Sequence, residues 1–170
     1  MQCHEIMTSS VETVPPRLSV ERAARKMFER ILGFLPVCTE EGRVVGVLTD
    51  RDIAVRVCAA GRSASNTRVE EVMSHPVVSC RVYDPVSRVE RLMTAHRKAR
   101  VIVTDDQDRL VGVISLTDLA QHEEPLRAAR LLRDISGRAF RFEGPRLRSV
   151  PPPENASSPR SSRRRGENAG

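Results

Sequence analysis

The chain has 170 residues, about one ordinary domain, and 39% of them are hydrophobic, which is enough for a folded core. Its formal net charge of +6 is concentrated at the end, because residues 137–170 contain eight Arg and three Glu and leave a net charge of only +1 for residues 1–136. With no Trp and one Tyr, the chain also has few aromatic residues that could stack on exposed bases, so nucleic acid is not expected as a partner of the folded part.

The beginning of the chain, MQCHEIMTSS, lacks the basic and apolar regions of a secretory signal. No apolar run approaches the roughly 20 residues that a membrane span needs, so a cytoplasmic location without membrane attachment is expected. The cysteines lie far apart without a C-x-x-C pair, which argues against a zinc site or a disulfide framework and favours buried free thiols. A redox pair formed in space stays open among Cys3, Cys38, Cys58 and Cys80.

The first half of the chain predicts a strand, a helix, two strands and a second helix. The two strands are the apolar runs Leu35–Cys38 and Val44–Leu48, on either side of a turn at Glu40–Gly42. The second helix begins after Thr49 and is predicted to end at Gly61, which suits a left-handed cap. The first helix carries an apolar stripe at Val20, Ala23, Ala24, Met27 and Ile31.

A polar connector, Ser63–Thr67, leads to Thr67-Arg68-Val69-Glu70, which resembles a helix capping box. From there the pattern repeats, because a shift of 66 residues superposes the first half on the second without a gap. A unit of about 60 residues buries too little surface to be stable alone, so the two copies are expected to pack about a pseudo-twofold axis with two equivalent clefts. The matched pairs include Met7 with Met73, Val20 with Val86, Arg25 with Arg91, Met27 with Met93, Val37 with Val103, Gly46 with Gly112 and Asp52 with Asp118.

After the second copy the pattern changes. Pro125–Ile135 predicts one more amphipathic helix, ending at Gly137, with Leu126, Ala129, Leu131 or Leu132, and Ile135 on its apolar face. Beyond it the chain is rich in Pro, Ser and Arg and is predicted to be disordered. The expected organisation is a first unit at 1–64, a second unit at 65–124, a helical extension at 125–144 and a disordered tail at 145–170.

The paired copies resemble a tandem pair of cystathionine-β-synthase (CBS) domains over residues 5 to about 122. The first copy reads IMTSSVETV, LSVERAARKM and FLPVCTEEGRVVGVLTDRDIA, and the second reads VMSHPVVSC, DPVSRVERLM and RVIVTDDQDRLVGVISLTDLA. The resemblance implies a stand-alone bacterial CBS pair of the α+β class, built from two β-α-β-β-α units, which commonly dimerises into a flat disc. It also implies clefts that bind AMP, ATP or S-adenosylmethionine, although some members bind no known ligand.

The step Thr49-x-x-Asp52 and its copy Ser115-x-x-Asp118 stand where a strand enters a helix. Backbone N–H groups and the positive end of the helix dipole favour a phosphate there, and the aspartate can accept both hydroxyls of a ribose. The same spacing is that of a capping box, in which the hydroxyl and the carboxylate satisfy the helix end. Both interpretations stay open.

The resemblance also assigns residues to the pocket for the base. They map to Val11, Thr13, Leu35 and Pro36 in the first copy and to Val77, Ser79, Val101 and Ile102 in the second. The second copy departs from the family pattern, since it carries Ile102 where LPV has proline and Leu116-Thr117 where the first copy has Asp50-Arg51. Ordinary core packing is the alternative role for the apolar members of both sets.

Arg100 directly precedes a strand of the second copy, opposite Phe34 in the first. In related CBS pairs a basic residue at this position contacts ligand phosphate, which assigns Arg100 to the ligand site. The alternative is a solvated Arg100 paired with a carboxylate such as Asp105. Gly46 and Gly112 lie inside strands and indicate the close approach of either a ligand or a neighbouring backbone.

The sequence contains no P-loop, G-x-S-x-G, H-E-x-x-H or dinucleotide motif, and an enzyme is not expected. It predicts a non-catalytic regulatory module, homodimeric and without a resident cofactor or metal, that senses an adenosine-containing ligand on behalf of an unidentified protein. One alternative is a ligand-free structural or protein-interaction module in stress response. Another is binding of an acidic partner or nucleic acid by the basic tail at Arg160, Arg163, Arg164 and Arg165.

Overall fold

The computed structural model describes residues 1–122 and 124–136. The tail at 145–170 and the predicted helix end at Gly137 lie outside these ranges. A π-helical turn, Ala54–Cys58, follows directly on the helix at Asp50–Ile53, and a 3-10 turn, Val69–Glu71, lies before the strand at Ser79–Arg81. The elements follow in the order α1 (Cys3–Ile6), α2 (Val20–Arg30), β1 (Phe34–Cys38), β2 (Val44–Thr49), α3 (Asp50–Ile53), β3 (Ser79–Arg81), α4 (Val86–His96), β4 (Arg100–Thr104), β5 (Leu110–Ser115), α5 (Leu116–His122) and α6 (Pro125–Ser136).

The elements form an α+β fold with two small sheets. In the first copy β1 and β2 make an antiparallel hairpin, in which Phe34 pairs with Thr49. In the second copy β4 and β5 make the equivalent hairpin, and β3 adds a parallel strand beside β4. The sequence predicts both hairpins correctly, because apolar runs around a polar turn leave few other ways to bury their side chains.

The leading strand predicted for the first copy is reduced to a single parallel bridge between Val14 and Val37. Pro15 and Pro16 follow Val14 directly, and proline has no N–H to continue a ladder. The second copy has no proline at the matching positions and forms β3 there. The two prolines therefore explain why the strand predicted for the first copy does not form.

Helix α2 buries Val20, Ala23 and Met27, as the apolar stripe predicts. Ile31 was placed on the same stripe, which is wrong, since its side chain is 95% exposed. It lies just beyond the helix in left-handed backbone, with φ of 55°, and so turns away from the core. Near the end of the next helical segment, Gly61 has the predicted left-handed conformation, with φ of 65°.

The capping box predicted at Thr67–Glu70 is also wrong. The carboxylate that closes this turn belongs to Glu71, which accepts a hydrogen bond from the Arg68 N–H at 2.8 Å. Thr67 is buried instead, at 3% exposure, and its carbonyl accepts a hydrogen bond from the Val20 N–H at 2.9 Å. The connector is thus anchored to the start of α2, which shifts the cap by one residue.

The segment that precedes each copy crosses over to the other copy. Thr8 exchanges two backbone hydrogen bonds, each of 3.0 Å, with Val113 of β5. Ser74, 66 residues after Thr8, exchanges the same pair of bonds with Val47 of β2, at 2.8 and 3.1 Å. This reciprocal exchange gives the pair a pseudo-twofold axis. We use the name crossing segments for residues 1–8 and 67–74.

Gly46 and Gly112 make room for the crossing segments. A Cβ atom on Gly112 would lie 2.8 Å from the Met7 Sδ and 2.9 Å from the Thr8 carbonyl oxygen. A Cβ atom on Gly46 would collide with Met73, the repeat partner of Met7. The close approach that these glycines indicated is therefore that of the crossing segments of the same chain.

Helix α6 packs against α4 and α5 through one face. Leu131 is buried and Ile135 is partly buried against the core of the second copy. Of the other predicted apolar positions, Leu126 is 76% exposed and Ala129 is exposed. Leu126 lies about 140° around the helix from Leu131, so the two side chains cannot both face the core. In the described part of the chain, no helix has the length and apolar character to cross a membrane.

Candidate ligand-binding clefts

Two of the cavities between the copies are related to each other by the repeat and contain the hydroxyl-x-x-Asp steps. Cleft A has a volume of about 270 Å³ and cleft B of about 470 Å³. Residues that line cleft A include Thr8, Ser10, Val11, Glu12, Ser115 and Asp118. Their partners 66 residues away line cleft B, namely Ser74, Pro76, Val77, Val78, Thr49 and Asp52.

Each cleft combines the end of a crossing segment, and the residues just after it, with the hydroxyl-x-x-Asp step of the other copy. Val11 of the first copy lies in cleft A with Ser115 and Asp118 of the second. Sequence reasoning grouped the candidate residues within each copy, and that grouping is wrong because the leading segments cross. The occupancy of a cleft consequently depends on residues from both copies.

In cleft A the step forms a capping box with one carboxylate oxygen left over. The Asp118 Oδ2 accepts hydrogen bonds from the Ser115 N–H at 2.7 Å and from the Ser115 hydroxyl at 2.6 Å. The Asp118 N–H donates back to the Ser115 Oγ at 3.2 Å. Within the described residues the Asp118 Oδ1 has no protein partner, so it can accept a hydrogen bond from a ligand.

In cleft B the same box is present, but both carboxylate oxygens are engaged. The Asp52 Oδ2 accepts from the Thr49 N–H at 2.9 Å and from the Thr49 hydroxyl at 2.7 Å. The Asp52 Oδ1 accepts from the Ser74 hydroxyl at 3.1 Å and lies 3.5 Å from the Arg56 guanidinium. A ligand that used Asp52 would have to share it with these two side chains.

Arg100 and Phe34, repeat partners of each other, line both clefts. The Arg100 guanidinium lies over the Phe34 ring, 5.5 Å from its centroid, which is a cation–π contact. The alternative pairing of Arg100 with Asp105 is wrong, because Asp105 is paired with Arg109 at 2.8 Å. A hydrogen bond from the Arg109 backbone N–H lowers the pKa of Asp105.

The two clefts differ in charge. Four basic side chains line cleft B with only two carboxylates, Asp50 and Asp52; the basic ones are Arg51, Arg56, Lys98 and Arg100. Cleft A has one basic side chain, Arg100, and two carboxylates, Glu12 and Asp118. Cleft B is therefore the better site for an anionic group.

Glu12 of cleft A is held by two cations outside the cavity. Its carboxylate lies 2.6 Å from the Lys26 ammonium and 3.4 Å from the Arg30 guanidinium. The hydrogen bond from Lys26 is the main cause that lowers the pKa of Glu12. Glu12 therefore stays a carboxylate whose charge is offset by these two partners.

Five of the residues that the resemblance assigned to the base pocket line neither cleft in the described structure. They are Thr13, Leu35, Pro36, Ser79 and Val101. Leu35 and Val101 are core residues with exposures of 0% and 1%. Val11, Val77 and Ile102 do line a cleft, and their role as ligand residues stays a prediction.

Sequence reasoning missed several lining residues, above all Lys98, Arg56, Thr8 and Ser74. The repeat does carry a signal for two of them, because Thr8 and Ser74 are hydroxyl residues at matching positions. Nothing in the local sequence signals Arg56, whose guanidinium donates to the Val72 and Met73 carbonyl oxygens at 2.6 and 2.8 Å. In the described ranges, His, Cys, Asp and Glu side chains form no group of three or more that could hold a metal ion.

The sequence model of the CBS domain family matches the chain twice, over residues 3–58 and 69–124. The chain belongs to the CBS domain family. It is a tandem CBS pair, as the resemblance predicted, and CBS pairs are regulatory ligand-binding modules. A similar protein is the CBS domain-containing protein YhcV of Bacillus subtilis, which is 40% identical over 119 residues, covering 70% of this chain and 83% of YhcV.

Solved CBS structures have the same fold. The conserved CBS domain protein TA0289 of Thermoplasma acidophilum has a TM-score of 0.70 at 28% identity, with 79% of this chain and 75% of that chain covered. The CBS domain pair of protein MJ0100 has a TM-score of 0.64 at 26% identity, with 72% of this chain and 94% of that chain covered. That CBS pair was solved in complex with 5′-methylthioadenosine and S-adenosyl-L-methionine.

Proposed function

We propose that this CBS pair is a non-catalytic sensor of an adenosine-containing ligand of the AMP, ATP or S-adenosylmethionine class. The observation that carries the proposal is the pair of related clefts, each with a hydroxyl-x-x-Asp box at its edge and with Arg100 between them. The adenosine ligands of the MJ0100 CBS pair support the same ligand class.

The chemistry of the clefts suggests how such a ligand is divided between them. The Oδ1 of Asp118 can accept hydrogen bonds from ribose hydroxyls in cleft A, where the apolar Val11 and Leu32 offer a surface for a base. The excess of basic side chains in cleft B suits phosphate groups, because charge-assisted hydrogen bonds are roughly twice as strong as neutral ones. A phosphorylated ligand is thus expected to favour cleft B, and an uncharged adenosine compound cleft A.

A thermal-shift screen of the full chain tests the proposal. AMP, ATP, S-adenosylmethionine and 5′-methylthioadenosine are the ligands, and GMP is the control for the base. A ligand at one hundred times its Kd stabilises the folded state by about 2.7 kcal/mol, which corresponds to a rise in Tm of roughly 5–10 °C. If GMP raises the Tm as much as AMP does, the specificity for adenosine is wrong. If no compound raises it, the ligand-free interaction module is favoured instead.

We also propose that the protein is a homodimer that associates through α2. Phe28 and Ile31, near the end of α2, are 85% and 95% exposed. In the second copy α6 packs against α4, and Thr94, the repeat partner of Phe28, lines the groove between these two helices. Within the described residues the first copy has no helix equivalent to α6, and its α2 surface at Phe28 and Ile31 is more apolar than that of α4. A second chain can bury this α2 surface.

Light scattering on the full chain at micromolar concentration checks the homodimer. The wild-type protein is expected to have the mass of two chains, and a Phe28→Glu variant the mass of one, because a charge would be buried in the interface. A control variant, Tyr83→Glu, changes an exposed aromatic residue elsewhere and should stay dimeric. A monomeric wild-type protein would contradict the proposal.

A further inference from the structure

The structure brings two cysteines from distant parts of the chain together in the core of the second copy. Cys3 lies in α1 and Cys80 in β3, and their Sγ atoms are 3.6 Å apart. Both side chains are buried, with exposures of 0% and 3%. The sequence left this pairing open, and neither cysteine lines a ligand-binding cleft.

The repeat shows that the fold does not need sulfur at these positions. Val69 and Val14 stand 66 residues from Cys3 and Cys80, and they are buried in the core of the first copy at 0% and 1% exposure. Two valines therefore fill in one copy the place that two thiols fill in the other. Packing therefore does not require thiols at these two positions.

The two thiols are chemically different. Either sulfur can be the donor of the hydrogen bond between them, and this bond lowers the pKa of Cys3. The same hydrogen bond, with burial, raises the pKa of Cys80. Since the thiolate and not the thiol attacks an oxidant, the cysteine that first reaches solvent is the nucleophile of the pair.

Cys3 is buried, so it meets an oxidant only when its short helix opens locally. Helix α1 has only four residues. It is fastened to the second copy by the Cys3 N–H to the Asp84 carbonyl at 2.9 Å and by the His4 N–H to the Val82 carbonyl at 3.1 Å. Local opening of a helix this short needs less free energy than unfolding of the whole domain.

We propose that Cys3 and Cys80 form a reversible disulfide in response to hydrogen peroxide. The Cys3 thiolate attacks one peroxide oxygen, the O–O bond breaks, and the departing hydroxide takes a proton and leaves as water. The Cys80 sulfur then attacks the sulfenic acid on Cys3, the S–O bond breaks, and a second water leaves with the Cys80 proton. The two thiols lose two electrons, which reduce one peroxide to two waters.

The disulfide would fasten the first crossing segment to the second copy. Thr8, five residues after Cys3, lines cleft A and exchanges backbone hydrogen bonds with Val113. A covalent bond at Cys3 limits how far this segment can move from β5. Oxidation therefore makes the wall of cleft A more rigid.

The experiment uses the full chain with Cys58→Ser, which removes the exposed thiol. After mild peroxide treatment and alkylation in denaturant, two of the three remaining thiols should be protected, and Cys38 should be the one that reacts. The intact mass should fall by about 2 Da, and a dithiol should restore it. A crosslink between residues this far apart in the sequence should raise the Tm by roughly 10 °C. Amide exchange at Thr8 and Val113 should slow on oxidation.

The matched control is Cys80→Val in the same background, which copies Val14 of the first copy. It should fold, and peroxide should neither form a disulfide in it nor raise its Tm. The proposal is overturned if Cys3 and Cys80 stay alkylatable at a peroxide dose that oxidises Cys58 in the wild-type protein. Pairing of Cys3 with Cys38 or with a second chain would also overturn it, and unchanged amide exchange at Thr8 would refute the rigid wall of cleft A.

Discussion

Replacing Arg100 with alanine is expected to weaken binding of AMP or ATP by roughly ten- to a hundred-fold, because charge-assisted hydrogen bonds to phosphate contribute about 1.5–3 kcal/mol. Binding of adenosine, which has no phosphate, should change little. Titration calorimetry of both ligands against both proteins makes the comparison. The effect should be large for a single side chain, since this guanidinium lines both clefts.

Two control variants separate phosphate recognition from other effects. Arg97→Ala removes a nearby exposed positive charge that lines neither cleft, and it should leave the affinity for AMP unchanged. Lys98→Ala removes a charge from cleft B alone and should weaken AMP less than Arg100→Ala does. An equal loss for adenosine and AMP in Arg100→Ala would mean that the change damages the clefts generally, for example through the lost contact with Phe34, and would contradict the phosphate role.

The substitution Asp118→Asn is expected to weaken adenosine binding by about ten-fold or more, because a hydrogen bond to a charged group contributes about 1.5–3 kcal/mol. Asparagine has one side-chain oxygen, which the Ser115 N–H and hydroxyl occupy at the helix end. Its amide group then faces the cleft and cannot accept the ribose hydroxyls. The Tm should change little, since asparagine is a good helix cap.

The ligand supplies the control for this variant. 2′,3′-Dideoxyadenosine lacks the 2′- and 3′-hydroxyls of the ribose, so wild type and Asp118→Asn should bind it with the same affinity. The matched substitution Asp52→Asn should weaken adenosine binding less, because Ser74 and Arg56 already engage the Oδ1 of Asp52. If Asp118→Asn weakens dideoxyadenosine as much as adenosine, Asp118 does not recognise the ribose and serves only as a cap.

The sequence predicts those parts of the fold that depend on residues close together in the chain. The hairpins, the start of α2 at Val20 and the two hydroxyl-x-x-Asp boxes all follow from local patterns, and the repeat predicts the pseudo-twofold axis. The errors arise where a distant contact decides. Thr67 does not cap its own turn because its carbonyl binds the Val20 N–H, and Leu126 is exposed because α6 packs through Leu131.

The composition of the clefts could not be predicted from the sequence for the same reason. Asp118 and Val11 are 107 positions apart, and only the crossing of the leading segments places them in one cavity. The residue types of the site were nonetheless predictable, because a repeated hydroxyl-x-x-Asp step is rare enough to notice without knowledge of its surroundings. Local pattern therefore identifies the groups, and the topology decides which of them face the same ligand.

The crossing segments also affect how the protein can fold while it is being synthesised. Thr8 leaves the ribosome early, yet its partner Val113 is made about 100 residues later. At about 5–20 residues per second the leading segment waits several seconds before β5 exists. The first copy likewise stays incomplete until Ser74 emerges to pair with Val47. The first copy can therefore close once Ser74 has emerged, whereas residues 1–8 must wait for β5 before the second copy is complete.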